Sequence, residues 1–249
     1  MKIKEIMIGA AAGFVNGLLG AGGGTILVPA LQRFLNIEAH KSHATAIAII
    51  FPLSVISALV YARSGNIDWP AILYVSAGGV AGGVIGAKLL NKITKTSLRK
   101  FFSVFMVIAA LRMIFSGAEG TAGEGLLNAA IKFAPLYAAV GLAAGIISGL
   151  GIGGGTLLIP ALVILFGIPQ RDAQNINLIY FIPTAAVALV VHIKNGNVRA
   201  KGLPVMITAG LAAAAGAAFL ATKTDADLLR KIFGAFLLVM GVLEFKRAR

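Results

Sequence analysis

The chain has 249 residues, 58% of them hydrophobic and only 12% charged, with a mean hydropathy of +0.91. A soluble domain carries about 25% charged residues, so this much apolar surface excludes a single soluble core. Lys and Arg number 22 against 9 Asp and Glu, a net charge of +13, which points to membrane topology and away from nucleic acid as a partner, while the absence of cysteine excludes disulfides, thiolate metal sites and thiol nucleophiles.

The first apolar element runs from Glu5 to Leu35 with a glycine cluster in its middle. A continuous helix of that length would rise about 45 Å, against about 30 Å of hydrocarbon that about 20 helical residues cross. Lys2 and Lys4 ahead of an apolar run also give the charge pattern of a secretory signal. Three runs of crossing length follow, His43 to Ala62, Pro70 to Leu90 and Leu98 to Ser116. A polar linker occupies 117–134. The second half repeats the order, with a glycine-broken stretch from Pro135 to Gly167 and runs at Gln174 to Ile193, Lys201 to Ala221 and Leu228 to Phe245.

A constant offset of 131 residues aligns the halves without a gap from Gly20 through Arg112. It places GlyAlaGlyGlyGlyThr at 20–25 on GlyIleGlyGlyGlyThr at 151–156, ProAlaLeu at 29–31 on 160–162, and Pro52 on Pro183. Upstream the offset is 132, which pairs Asn16 with Ser148. The apparent signal sequence therefore has a twin in mid-chain, and both copies are read as structure. The expected fold is an all-α polytopic membrane protein of two pseudo-symmetric repeats, 1–116 and 135–249, each a broken helical hairpin plus three transmembrane helices.

Length favours hairpins that dip in and return, and charge supplies a second test, because Lys and Arg concentrate on the cytoplasmic side. Broken segments that cross would divide the 22 basic residues 11 to 11, whereas segments that turn back put 15 on one side and 7 on the other. The re-entrant arrangement is favoured, with both termini cytoplasmic. Three true spans per half then give the halves opposite orientation, the inverted repeat of many secondary transporters. Eight full crossings with parallel repeats is the competing arrangement.

Irregular backbone at membrane depth is tolerated only where protein buries it or a watery cavity solvates it. Next to each glycine run a helix begins, and its first N–H groups and positive dipole end suit an anion that bare glycine backbone lets approach. The candidate substrate-binding residues are Gly20, Gly22, Gly23, Gly24 and Thr25 in the first break and Gly151, Gly153, Gly154, Gly155 and Thr156 in the second. Asn16 and Ser148 join them from the preceding arms, and Thr45, Asn175, Asn177 and Tyr180 from the turns after the hairpins. Inversion would aim the two helix starts at each other. Pro52 and Pro183 are kinks and the candidate hinges.

The plainer readings sit beside these. Gly78, Gly82 and Gly86, spaced by four, read as helix packing, with Gly210, Ala214 and Ala218 opposite them in the repeat. Thr25 and Thr156 could be helix caps. His43 and His192 read as interfacial, and Trp69 and Tyr61 as aromatic belt. The glycine strings lack the strand context and the Lys of nucleotide-binding loops. No catalytic set, metal site or cofactor is called for.

A GlyXaaGlyGlyGly break leading to ValProAlaLeu, a second helix entered through AlaThrAla, and ArgSerGlyAsnIleAspTrp at 63–69, all repeated in degenerate form, resemble the sulfite exporter TauE/SafE family of bacterial and archaeal membrane transporters. The likeness covers almost the whole chain, strongest at Gly20 to Leu31, Gly65 to Trp69 and Gly151 to Leu162. It implies a small sulfur-containing anion such as sulfite, or an organosulfonate, as substrate. AsnIleAsn at 175–177 stands where the first half has AlaThrAla, a departure from the hydroxyl pattern. The expectation is a plasma-membrane secondary transporter or facilitator, with a passive anion channel and a membrane-embedded enzyme as rivals. Its expected partners are the lipid bilayer and a small anionic substrate, with self-association into a homo-oligomer left open.

Overall fold

A computed structural model describes residues 2–21, 23–63, 68–89, 95–115, 133–150 and 153–247. These residues form ten helices. In chain order they are α1 (Lys2–Leu19), α2 (Gly24–Leu35), α3 (Ala39–Ala62), α4 (Trp69–Leu89), α5 (Lys95–Phe115), α6 (Ala134–Gly149), α7 (Gly155–Phe166), α8 (Gln170–Lys194), α9 (Leu203–Lys223) and α10 (Ala226–Arg247). Four of them, α3, α4, α8 and α9, are long and apolar enough to cross a membrane. These four, together with α5 and α10, stand where the sequence predicts spans, and both long stretches are broken at their glycines. The linker 117–134 falls almost wholly outside the described residues.

The breaks have local causes. α1 ends at Gly20, whose N–H donates to the carbonyl of Asn16 and whose φ of 64° is left-handed, a conformation that costs glycine little. Gly23, at φ 57°, then stands just before α2. The chain doubles back there: a Cβ built on Gly23 would lie 3.0 Å from the carbonyl oxygen of Ala12. A helix continuing straight would carry those residues about 16 Å apart. The second break does the same, with Gly154 against the backbone of Ala144 and 2.9 Å from Cβ of Ser148. Both short second arms stop on a left-handed residue, Asn36 (φ 50°) and Gly167 (φ 66°), the usual device for ending a helix.

Packing between the halves is reciprocal. Backbones of α1 and α9 touch at Gly9 with Met206, Gly13 with Gly210 and Gly17 with Ala214. Those of α6 and α4 touch at Gly141 with Val75, Gly145 with Gly79 and Gly149 with Gly83, which are the same positions in the other repeat. Without side chains at these points, van der Waals contact extends along the whole seam, the main attraction available between helices in lipid. Gly78, Gly82 and Gly86 do serve packing, against Ala138, Leu142 and Ile146 of α6.

The order of contacts also gives directions. Both seams are parallel, since residue numbers rise together. α5 and α10 run antiparallel, with Gly234 beside Ala110 and Ile114 and Gly241 beside Ser103 and Val107. α3 and α8 are antiparallel as well: Tyr61 near the end of α3 bonds Gln174 near the start of α8, and Thr45 near the start of α3 meets Arg199 just beyond α8.

Candidate functional site

The two breaks meet at the centre of the bundle. A Cβ on Gly155 would lie 2.8 Å from Cα of Ala21, and one on Gly153 would lie 3.7 Å from the backbone nitrogen of Thr25. Each helix start is thereby set against the other half's break. The caps are Gly23 and Gly154, so Thr25 and Thr156 lie inside the helices and do not cap them. Thr156 donates its hydroxyl to the carbonyl of Gly153 at 2.6 Å. Thr25, Gly153, Gly154, Gly155 and Thr156 are all buried.

α8 crosses directly beside this contact. Asn177 Nδ2 donates to the carbonyl of Gly20, fixing the first break, and lies 2.5 Å from where Gly155 would carry a Cβ. One side chain therefore touches both elbows. Its Oδ1 is buried without a partner, as is Oδ1 of Asn175, the residues being 1% and 3% exposed. Gln174, fully buried, packs its side chain on Gly20, accepts a 2.9 Å bond from the Tyr61 hydroxyl at Oε1, and leaves Nε2 unpartnered. Buried polar atoms without partners are costly, so Oδ1 of Asn177 and Nε2 of Gln174, both on side chains packed against the breaks, mark a place where a polar solute could supply the missing bonds.

The other predicted residues bond or pack elsewhere, apart from Ser148. Asn16 is bonded at both amide atoms by α3, accepting from Ser54 at 3.2 Å and donating to Ser57 at 3.3 Å. Ser148 abuts Gly154. Thr45 accepts the backbone N–H of Arg199 at 3.0 Å, tying α3 to the loop after α8. Tyr180 lays its ring against Gly79 of α4 and directs its hydroxyl 3.4 Å from the carbonyl of Gly141, so it belongs to the seam between α4 and α6. Pro52 and Pro183 lie inside α3 and α8. Gly22 and Gly151 fall outside the described residues.

Three residues expected at the interface are buried instead. Tyr61 is 1% exposed and bonds the carbonyl of Gly17 at 3.2 Å. His192, its counterpart in the repeat, is 0% exposed with Nε2 3.0 Å from the carbonyl of Gly149. Gly17 and Gly149 are themselves counterparts, so both side chains bond a carbonyl at the end of a first arm, where the last carbonyls lack intrahelical N–H donors. His43, the counterpart of Gln174, is 4% exposed. Trp69 is 57% exposed, as an aromatic belt residue would be. Sequence reading missed Gln174, Ser54 and Ser57; the signal available was a polar side chain inside an apolar run.

The profile of the sulfite exporter TauE/SafE family matches residues 2–113 and 136–249, all but residue 1 and a stretch, 114–135, that contains the linker. The chain belongs to the sulfite exporter TauE/SafE family. It is 27% identical over 215 residues to probable membrane transporter protein YunE of Bacillus subtilis, covering 78% of this chain and 79% of that protein. It is 23% identical to a probable membrane transporter protein of Xylella fastidiosa (strain Temecula1) across 100% of this chain and 98% of the relative. A probable membrane transporter protein of Methanocaldococcus jannaschii is 29% identical over 63% of this chain and 60% of its own length. No solved structure matches the chain. For this TauE/SafE protein, then, the observed helices belong to a multi-pass membrane transporter, and the boundary between the two matched segments coincides with the linker between the halves.

Proposed function

We propose that this TauE/SafE protein is a secondary transporter or facilitator that moves a small anion, a sulfur oxyanion such as sulfite or an organosulfonate, across the plasma membrane at its paired glycine breaks. The observation that carries the reading is the contact of two helix starts with the unpartnered donor Nε2 of Gln174 on α8 beside the first break. Helix starts concentrate unsatisfied N–H groups and partial positive charge, and two opposed starts hold an anion without a buried cation. Such a site releases its ligand more readily than a Lys or Arg would, which suits turnover. The family's name points to sulfite, and the names of the relatives to membrane transport.

The proposed topology is two re-entrant hairpins and six crossings in inverted repeats, with both termini cytoplasmic. The doubling back at Gly23 supports it. So does the antiparallel pairing of α5 with α10 and of α3 with α8, because a parallel repeat with eight crossings would run the members of each pair in the same direction. The bias of 15 basic residues to 7 on this topology supplies the orientation. Burial of the breaks fits a closed stage of alternating access, in which the seams of α1 with α9 and α6 with α4 move as units against α3 and α8.

Sulfite and a short alkylsulfonate, assayed separately in reconstituted vesicles, test the reading. Saturable uptake that is accelerated by the same anion preloaded on the far side is expected. Flux that rises linearly with concentration and shows no counterflow would make the protein a channel, and absence of flux for every small anion would remove the anion reading.

A further inference from the structure

A second site lies away from the breaks, on the outer face of α5 and α10. The two helices leave between them an open groove of about 400 Å³, lined by Ser103, Val104, Val107 and Ile108 on one wall and Val242, Phe245 and Lys246 on the other. Val104, Ile108 and Val242 are 47%, 59% and 43% exposed, so the groove opens to whatever surrounds the helices. Its volume is that of a small-molecule site. A partner helix, about 10 Å across with its side chains, does not fit inside it.

Among the residues lining the groove, the charged one, Lys246, stands at one end. Because α5 and α10 are antiparallel, the start of one adjoins the finish of the other, and exposed Lys100 and Lys246 come from those two termini. Lys100 precedes Val104, Val107 and Ile108 on one helical stripe, since positions four, seven and eight apart share a face. α5 contains no acidic residue; in α10, Asp227 lies at the opposite end and Glu244 is buried. The groove is thus an apolar slot with a positive mouth, complementary to a molecule with one acyl tail in the slot and a phosphate at the mouth. Basic pockets between transmembrane helices recognise anionic headgroups in this way.

We propose that the α5 and α10 groove binds an anionic phospholipid, one acyl chain lying along Val104, Val107, Ile108 and Val242 and the phosphate meeting Lys100 and Lys246. On the inverted topology this mouth faces the cytoplasmic leaflet, but the site stands without the transport reading, because it shares no residue with the breaks.

The test uses delipidated full-length protein in detergent, offered phosphatidylglycerol or phosphatidylcholine in equal amounts, with retained lipid counted by mass spectrometry. Preferential retention of phosphatidylglycerol is expected. Two lysine contacts correspond to about thirtyfold preference, lost in the double variant Lys100→Gln and Lys246→Gln. Val104→Trp, which fills the slot and keeps both charges, is expected to reduce retention of both lipids. Thermal unfolding in detergent alone verifies that the variants fold. Equal retention of the two lipids by the parent protein, or glycerol phosphate competing as well as the whole lipid, would overturn the proposal; dimerisation in proportion to exposure of this face, with no lipid retained, would assign it to a second copy instead.

Discussion

The two glycine elbows come from one repeated motif, yet neighbouring helices hold them in different ways. The first is gripped from the opposite half: Asn177 holds the carbonyl of Gly20, and Gln174 packs on Gly20 while bonded to Tyr61. The second is secured more locally, by Thr156 bonding the carbonyl of Gly153. At the positions where α8 carries Asn175 and Asn177, α3 carries Ala44 and Ala46. Duplication therefore fixed the backbone frame twice, whereas the side chains offering polar atoms at the centre come mainly from α8. An anion held there would meet two similar helix ends but one set of amide side chains.

The largest effect is expected at the contact of the elbows. In Gly155→Ala the new methyl would stand 2.8 Å from Cα of Ala21 and 2.5 Å from Asn177 Nδ2, so the breaks must separate. Overpacking of this kind costs about 1–3 kcal/mol, and transport in vesicles should fall to background while the protein still inserts. Gly216→Ala, with no atom within 4 Å of its new Cβ, should transport normally. Equal flux from both variants would show that the elbows need not touch.

Asn177→Ala tests the asymmetry itself. It leaves the carbonyl of Gly20 without its donor, at a cost of about 1–3 kcal/mol for a buried group, and should lower the maximal rate and substrate affinity together. Placing the amide in the mirror position by adding Ala46→Asn should not restore transport, because the second elbow has its own internal bond. Recovery in the double variant would mean that the two halves contribute equivalently.

The bonds of Tyr61 and His192 compare the halves at the ends of their first arms. Tyr61→Phe removes a hydroxyl shared between backbone of the first arm and Gln174, while His192→Phe removes a ring nitrogen that bonds the carbonyl of Gly149. Each loss is about 1 kcal/mol in stability, read as a lower thermal midpoint. Only Tyr61→Phe should also weaken substrate binding, since it frees the Gln174 amide. Identical binding by the two variants would detach Gln174 from the site.

The elements of this fold were legible because their determinants are local. Three adjacent glycines cannot sustain a helix, a run of about 20 apolar residues has the length of a membrane crossing, and the 131-residue offset ties the two halves together. The elbows were therefore placed correctly, and so was the packing role of Gly78, Gly82 and Gly86. What escaped depends on which helix of one half crosses which break of the other. Tyr61 and His192 sit near helix ends, where an interfacial location is the default, but each is covered because its helix passes a first arm. Gln174 reads as the first residue of a span until α8 is seen against Gly20. Ser54 and Ser57 gain meaning only as the partners of Asn16.

Thr45 provides the finest distinction between frame and site. Its hydroxyl accepts the Arg199 N–H at 3.0 Å, and its counterpart is Ile176, which has no hydroxyl to offer. Thr45→Val preserves shape and removes one hydrogen bond to a part-buried loop, so the expected loss is about 0.5–1.5 kcal/mol of stability with substrate affinity unchanged. If affinity falls while the thermal midpoint stays where it was, Thr45 touches the solute at some stage of transport, and the polar contribution of α3 is larger than this arrangement reveals. A lower midpoint with intact affinity makes the hydroxyl a fastening between α3 and the loop that follows α8, a fastening the other half achieves without it.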